Sequence, residues 1–159
     1  MLSPSNSATQ TLHPLLQNAR GGQIICDVTR PLNPIMCQQP AQLHEPALYP
    51  PALRLHIKVP GHSTWAFDVE NTQGITLQDV LSTIHRQLHR GLSHSDFLKL
   101  TEEEQAGAYQ SLQRRAVHDP VLFHQGVKRL DFIYPRLRFA GLTRDSDGSS
   151  WNLNFISGY

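Results

Sequence analysis

Nine histidines are distributed along the 159 residues of this chain. Two of them, His85 and His89, stand at the i, i+4 spacing that brings imidazoles together on one helix face. Such a pair is the beginning of a metal site. A tetrahedral site needs a third protein ligand and usually an outer layer of hydrogen bonds, and no acidic residue or cysteine has a defined place beside these two. On a helical wheel His85 flanks an apolar stripe while His89 lies beside Gln78 and Ser82. Solvated imidazoles, with no metal and no cofactor, are the expectation.

His56 and Asp68 form a second constellation, because an imidazole held by a carboxylate is half of a general-base arrangement. The nucleophile would have to be Ser63 or Thr64, in a loop without an elbow or an oxyanion-hole context. A surface pair between two strands is the simpler reading, and no catalytic residue is assigned. Cys26, in Ile24-Ile25-Cys26-Asp27-Val28, has the surroundings of a buried, inert thiol. Asp145, Asp147 and Gly148 look like a fragment of a calcium loop, but the closing glutamate is missing and a hairpin turn accounts for them.

The basic residues Arg114, Arg115, Lys128, Arg129, Arg136, Arg138 and Arg144 concentrate in the last third of the chain. Arg136 and Arg138 share a strand face and could meet phosphate or an acidic partner. Asp119, Asp131, Asp145 and Asp147 are interleaved with them and neutralise much of the field, which disfavours nucleic acid. A protein partner needs less charge density. Arg136 and Arg138, with Arg129 and Tyr49, are the partner-binding candidates.

The elements that position these residues are legible in the middle of the chain. Leu53, Leu55, Ile57 and Val59 alternate with Arg54, His56 and Lys58, and Trp65, Phe67 and Val69 alternate with Asp68 and Glu70. A hairpin closed at Pro60-Gly61 sets His56 opposite Asp68 and Arg54 opposite Glu70. Thr76 with Asp79, Ser93 with Asp96, and Thr101 with Glu104 mark three helix starts. The first helix should run from Leu77 to about Arg90, burying Leu77, Val80, Leu81, Ile84 and Leu88, with Gly91 as a left-handed stop. A short helix follows near His94 to Leu100. The third spans Glu102 to about Val117, with Ala108, Tyr109, Leu112 and Ala116 inward, and Asp119-Pro120 ends it.

Toward the C-terminus Leu130, Phe132, Leu137 and Phe139, then Trp151, Leu153 and Phe155, read as strands around the turn at Asp145 to Gly148. Near the N-terminus Ile24, Ile25 and Val28 make a short strand, and six prolines from Pro31 to Pro51 exclude helix or central strand. Residues 1–11 are polar and read as a disordered tail.

A net charge of +1, 39% hydrophobic residues and 8% aromatic residues describe an ordinary globular chain, without a whole-chain pull toward nucleic acid or anionic membrane. There is no secretory leader pattern and no stretch of membrane-spanning character. Two cysteines are too few for a disulfide scaffold, so reduced thiols in an intracellular, cytoplasmic protein are expected.

Several short stretches carry a resemblance. Leu12-His13-Pro14-Leu15-Leu16, Asp27-Val28, Glu45-Pro46-Ala47, Asp79-Val80-Leu81, Val127-Lys128-Arg129-Leu130-Asp131-Phe132, Phe139-Ala140-Gly141-Leu142 and Trp151-Asn152-Leu153 occur in an order that resembles domain-of-unknown-function family 6699 of mushroom-forming fungi (basidiomycetes). Cys26 stands where that pattern has Trp before the Asp-Val pair. The resemblance implies a fungal intracellular protein and no activity.

The expected architecture is a single α+β domain over residues 12–159. An antiparallel sheet of about four or five strands, two hairpins plus the N-terminal strand, packs on two main helices and one short helix, with residues 29–51 wrapped around it. The expected function is a non-enzymatic binding module for a protein partner or a second copy of itself. The alternative is a small-molecule binder or enzyme with its pocket under residues 29–51, using His13, His44, His56 or Tyr49.

Overall fold

Leu12 and Leu48 are both buried, and each lies in a two-residue strand. β1 (Thr11–Leu12) pairs antiparallel with β2 (Leu48–Tyr49), placing Thr11 opposite Tyr49 and Leu12 opposite Leu48. A computed structural model describes residues 10–17, 43–132 and 138–156. Residues 1–9 of the expected tail lie outside the described residues, while Gln10 and Thr11, its last two, belong to the fold. Gln10 is buried, its amide donates to the Pro50 carbonyl at 3.2 Å, and its own carbonyl accepts from Arg144 at 3.0 Å.

The wrapping segment is described from Leu43 onward, and Leu43, Ala47 and Leu48 are sunk into the core. β2 sits between Pro46 and Pro50 in a two-stranded pair, an edge setting that proline tolerates. Cys26, Cys37 and the strand expected at Ile24 to Val28 lie outside the described residues.

β3 (Arg54–Val59) pairs antiparallel with β4 (His62–Glu70), and His56 opposes Asp68 while Arg54 opposes Glu70, as the alternation predicts. Leu55, Ile57, Val59, Trp65, Phe67 and Val69 are buried. Leu53 does not join them. It precedes the strand, is 41% exposed, and its carbonyl accepts from Asn71 N at 3.0 Å to close the open end of the hairpin.

α1 (Leu77–Leu88) opens on a reciprocal cap between Thr76 and Asp79 and buries Leu77, Val80, Leu81, Ile84 and Leu88. It ends before the expected Arg90, and Gly91 is not left-handed. The His89 ring donates from Nδ1 to the His85 carbonyl at 2.8 Å, so a side chain closes the last turn and no positive-φ residue is required. Gly91 instead bridges to Lys128.

α2 (His94–Leu98), α3 (Glu102–Arg115) and α4 (Pro120–His124) follow, the first two a little shorter than expected. α3 stops at Arg115, ahead of the Asp119-Pro120 pair expected to end it, and that pair instead starts α4. Asp119 caps Val121 N, and proline suits the first helical position, where no amide donor is needed. Leu130 and Phe132 belong to a 3-10 turn over Arg129–Phe132 rather than to the expected strand, because the Asp131 carboxylate accepts Lys128 N at 2.8 Å and curls the backbone.

β5 (Arg138–Arg144) and β6 (Ser150–Ile156) form the second hairpin. The four-stranded sheet has the order β4-β3-β6-β5, and β3 runs parallel to β6, with Ile57 opposite Trp151. The all-antiparallel sheet expected from two hairpins is thus a mixed one. Each hairpin is locally determined, while their mutual direction is set by the helical crossover between them, which is long enough to allow parallel pairing. Helices and sheets combine in the α+β manner.

The main core draws on β1 to β4, α1, β5, β6 and the flanking segments, and it passes from Leu88 directly to Leu130. Leu92 packs against its edge, while Ala108, Leu112 and Ala116 are buried outside it. Residues 93–129 therefore form a helical excursion from the core. No helix among the described residues is long and apolar enough to cross a membrane.

Candidate functional site

The excursion is held by polar ties. Thr101 and Glu104 cap each other at the start of α3, where Glu102, Glu103 and Glu104 meet the positive end of the helix dipole. Gln105 donates to the Phe97 and Leu100 carbonyls at 3.0 and 3.2 Å and so joins α3 to α2. At the other end Arg115 grips Asp131 with two bonds, Nε to Oδ1 and Nη2 to Oδ2, each 3.0 Å. Asp131 is 1% exposed and Arg115 12% at the side chain, so this bidentate pair is a buried bolt between α3 and the 3-10 turn. Beside it the Lys128 ammonium is pushed down by burial and then by the Arg115 charge, with Asp131 opposing.

The turn is stacked against the sheet through Trp65. The His62 ring lies on Trp65 at 3.8 Å between centroids, the Phe132 ring meets it edge-on at 5.7 Å, and the Arg129 guanidinium stands 5.5 Å from its centre. Burial pushes the His62 imidazole down, against the pull of Glu104. Burial also lowers Arg129, followed by repulsion from Arg90. Phe132 then lines a groove of about 270 Å³ along α3, with Glu104 and Arg114 beside it and Gly107, Gln110 and Ser111 between them in sequence.

The outer side of the excursion is apolar. Tyr109, which the periodicity placed inward, is 45% exposed, with Val117 at 68%, Val121 at 64%, Phe123 at 39% and Leu98 at 62%. Among the described residues the 3-10 turn and short α4 supply the main packing on α3, and the Tyr109 ring meets Phe123 edge-on at 6.0 Å in place of a core.

Over residues 24–149 the chain matches the model of a family described as Family of unknown function (DUF6699). The chain belongs to this family. The excursion, the bolt and the Trp65 stack all lie inside the match, as do the resembling stretches from Asp27-Val28 to Phe139-Leu142; Leu12-Leu16 and Trp151-Leu153 lie outside it. No protein of curated function matches the chain, and no solved structure does.

The other candidates in this DUF6699 chain separate into distinct places. Tyr49 and Arg129 do not share a patch. The Glu45 carbonyl accepts from Leu77 N at the first residue of α1, whereas Arg129 N donates to the Arg90 carbonyl beyond the last. Twelve helical residues, about 18 Å, lie between. Arg129 is spent on Trp65 and Gln87, while Tyr49 is 76% exposed. Arg136 lies outside the described residues, and so does the side chain of Arg138.

The His85 and His89 rings do stack, at 4.0 Å and 26°. Among the described residues no group of three or more His, Cys, Asp or Glu is placed to hold a metal ion. His56 Nδ1 lies 2.7 Å from Asp68 Oδ1, and Asp68 is held low first by its hydrogen bond from Arg54, then by His56, against burial. Thr64 is four residues along β4 from Asp68, about 13 Å, beyond the reach of His56. Lys58 donates to Asp145 and Asp147, each at 2.9 Å, and Asp147 also accepts from Ser149 N and Ser150 N, which makes this cluster the knot of the β5–β6 turn.

His13 and Tyr49 do meet at one place, a groove of about 250 Å³ walled mainly by Leu12, Pro14, Pro46 and Leu48. Leu15 N donates to His13 Nδ1 at 3.1 Å, so the ring hydrogen is on Nε2 and is given to Glu45 at 2.6 Å. Both imidazole nitrogens are occupied, which leaves His13 as a clamp on Glu45 rather than a base.

Sequence reasoning missed the Arg115–Asp131 bolt and the exposed α3–α4 face. The Asp119-Pro120 pair did carry a signal, since an N-cap residue followed by proline starts helices as well as ending them.

Proposed function

We propose that this chain is a non-enzymatic protein-interaction module whose working surface is the outer side of the 93–129 excursion. One observation carries the reading. Of the seven large apolar side chains exposed among the described residues, Leu98, Tyr109, Val117, Val121 and Phe123 fall in this stretch, on elements attached to the core by polar ties. Exposed aromatic and aliphatic groups concentrated in one stretch, two of them (Tyr109 and Phe123) in ring contact, are what a docking face needs. The reading shifts the expected surface away from Arg136 and Arg138 and from Tyr49. Its setting inside a fungal cell is part of the proposal and rests on the family resemblance alone.

A photo-cross-linking residue placed at Val121 tests it in the native cell extract. Capture of a defined protein from Val121, and none from the same residue placed at Asn152 on the polar side of the sheet, is expected. Equal capture from both positions, or none from Val121, would count against the reading.

A second reading has its own observation. The apolar groove beside Tyr49, with Glu45 fixed by His13 at its edge, is the place for a small ligand under the wrapping segment. Chemical-shift changes confined to Thr11–Pro14 and Glu45–Tyr49 on titration with a small-molecule library would favour it.

A further inference from the structure

Arg90 and Arg129 come from distant parts of the sequence and are set side by side by a short ladder. Leu92 N donates to the Val127 carbonyl and Arg129 N to the Arg90 carbonyl, each at 3.1 Å, and Gly91 bridges to Lys128 between them. The two guanidiniums then reach for the same atom. Gln87 Oε1 accepts from Arg90 Nη1 at 3.5 Å and from Arg129 Nη1 at 3.4 Å, both long for bonds from a charged donor. Arg54, Lys58 and Arg115 each meet a carboxylate at hydrogen-bonding distance, whereas among the described residues neither Arg90 nor Arg129 does.

Like charges set opposite each other across a ladder destabilise it. A cation beyond the last turn of α1 suits the negative end of the helix dipole, which accounts for Arg90 and leaves the second arginine without a reason. Arg129 is the more firmly placed of the two. Burial and then the Arg90 charge push its guanidinium down, Asp96 pulls the other way, and the Trp65 ring centre lies 5.5 Å from it. Asp96 in turn lies 4.0 Å from the Lys99 ammonium. The contacts with Trp65 and Gln87 take up one face of Arg129 and one of its five N–H groups. Arg129 is half-buried and Arg90 exposed, so the pair opens to solvent on the Arg90 side.

We infer that Arg90 and Arg129 form an anion site for a phosphoryl group, which accepts from both guanidiniums at once. Such a group carries close to two negative charges at neutral pH and three acceptor oxygens, so it cancels the repulsion that the amide of Gln87 cannot. Arginine forks meet phosphate oxygens two at a time, at about 2.7 to 2.9 Å. The ladder and Trp65 hold Arg129 ready, and Arg90 closes on the ligand from outside. The site uses none of the apolar groups of the interaction reading and stands or falls without it.

Titration of the isotope-labelled full chain with inorganic phosphate and, separately, with phenyl phosphate tests this by chemical shift, against chloride at the same ionic strength. Shifts concentrated at residues 87–91, residues 128–130 and the Trp65 indole are expected. Arg90→Gln, a change at an exposed position, should weaken binding at least about tenfold. Arg90→Glu sets a carboxylate beside Arg129 and should abolish the response. Tighter binding of phenyl phosphate would assign the group to an organic ester, and tighter binding of inorganic phosphate to the free ion. Shifts no larger than those from chloride, or either variant responding as the unaltered chain does, would overturn the inference.

Discussion

The two halves of this molecule are held together by different physics. Around β3, β6 and α1, fully buried side chains such as Ile57, Leu81, Ile84 and Leu153 make a continuous apolar core, and removal of that area from water supplies the stability. The 93–129 excursion has only Ala108, Leu112 and Ala116 as buried apolar groups, and it leans on caps, a bridge and one buried ion pair. The first half explains why the chain folds. The second leaves apolar surface outside, and the proposed interaction surface rests on that difference.

Asp131→Ala should break this comparison open most widely. It strands Arg115 in a buried site and leaves Lys128 N without its acceptor, a loss of about 3 to 5 kcal/mol for an uncompensated buried charge. Hydrogen exchange should accelerate across Glu102–Arg115 while β3 and β6 keep their protection. Uniform acceleration in both halves would show that they are one cooperative unit.

Ile84→Ala is the matching test from the core side. It should lower stability by about 2 to 5 kcal/mol in urea melts and loosen sheet and excursion together, because global unfolding carries both. A change confined to α1 would contradict the continuous core. Thr101→Ala is smaller, about 0.5 to 2 kcal/mol, and its effect on exchange should stay within α2 and α3.

The smallest effect is electrostatic and belongs to the sheet. Asp68, Asp145 and Asp147 are all held below the ordinary carboxylate value, chiefly by hydrogen bonds from Arg54 to the first and from Lys58 to the other two. A carboxylate lowered in the folded state contributes stability above its unfolded value, about pH 3.9, and that contribution is lost as the pH falls through the folded value. Melting temperature should therefore drop on acidification below about pH 4, and Lys58→Met should shallow that drop by releasing Asp145 and Asp147. Equal slopes for both proteins would mean that the turn knot does not matter to folding.

Legibility followed the same division. The β3–β4 register could be read because apolar alternation, the Pro60-Gly61 turn and opposite charges agree, and each is local. The α1 cap could be read because Thr76 and Asp79 are three residues apart. Tyr109 was misplaced because a helical stripe says which residues could be buried together, without saying whether a neighbour arrives to bury them. Leu130 and Phe132 were misread because the partner that curls their backbone, Asp131 in the grip of Arg115, is an interaction sixteen residues long in sequence. Of the candidate site, the sequence displayed the charges of α3 and hid the exposure of its aromatic side.

By itself the sequence determined the local events: where helices begin, how the first hairpin pairs, and which faces are apolar. These follow from backbone hydrogen-bond geometry and from side-chain periods within a few residues. Tertiary structure alone decided that β3 and β6 run parallel, that Arg115 and Asp131 meet out of water, and that Tyr109, Val121 and Phe123 stay in it. Those outcomes depend on the direction in which the long crossover returns, because burial is a property of the neighbours a residue finds and not of the residue itself.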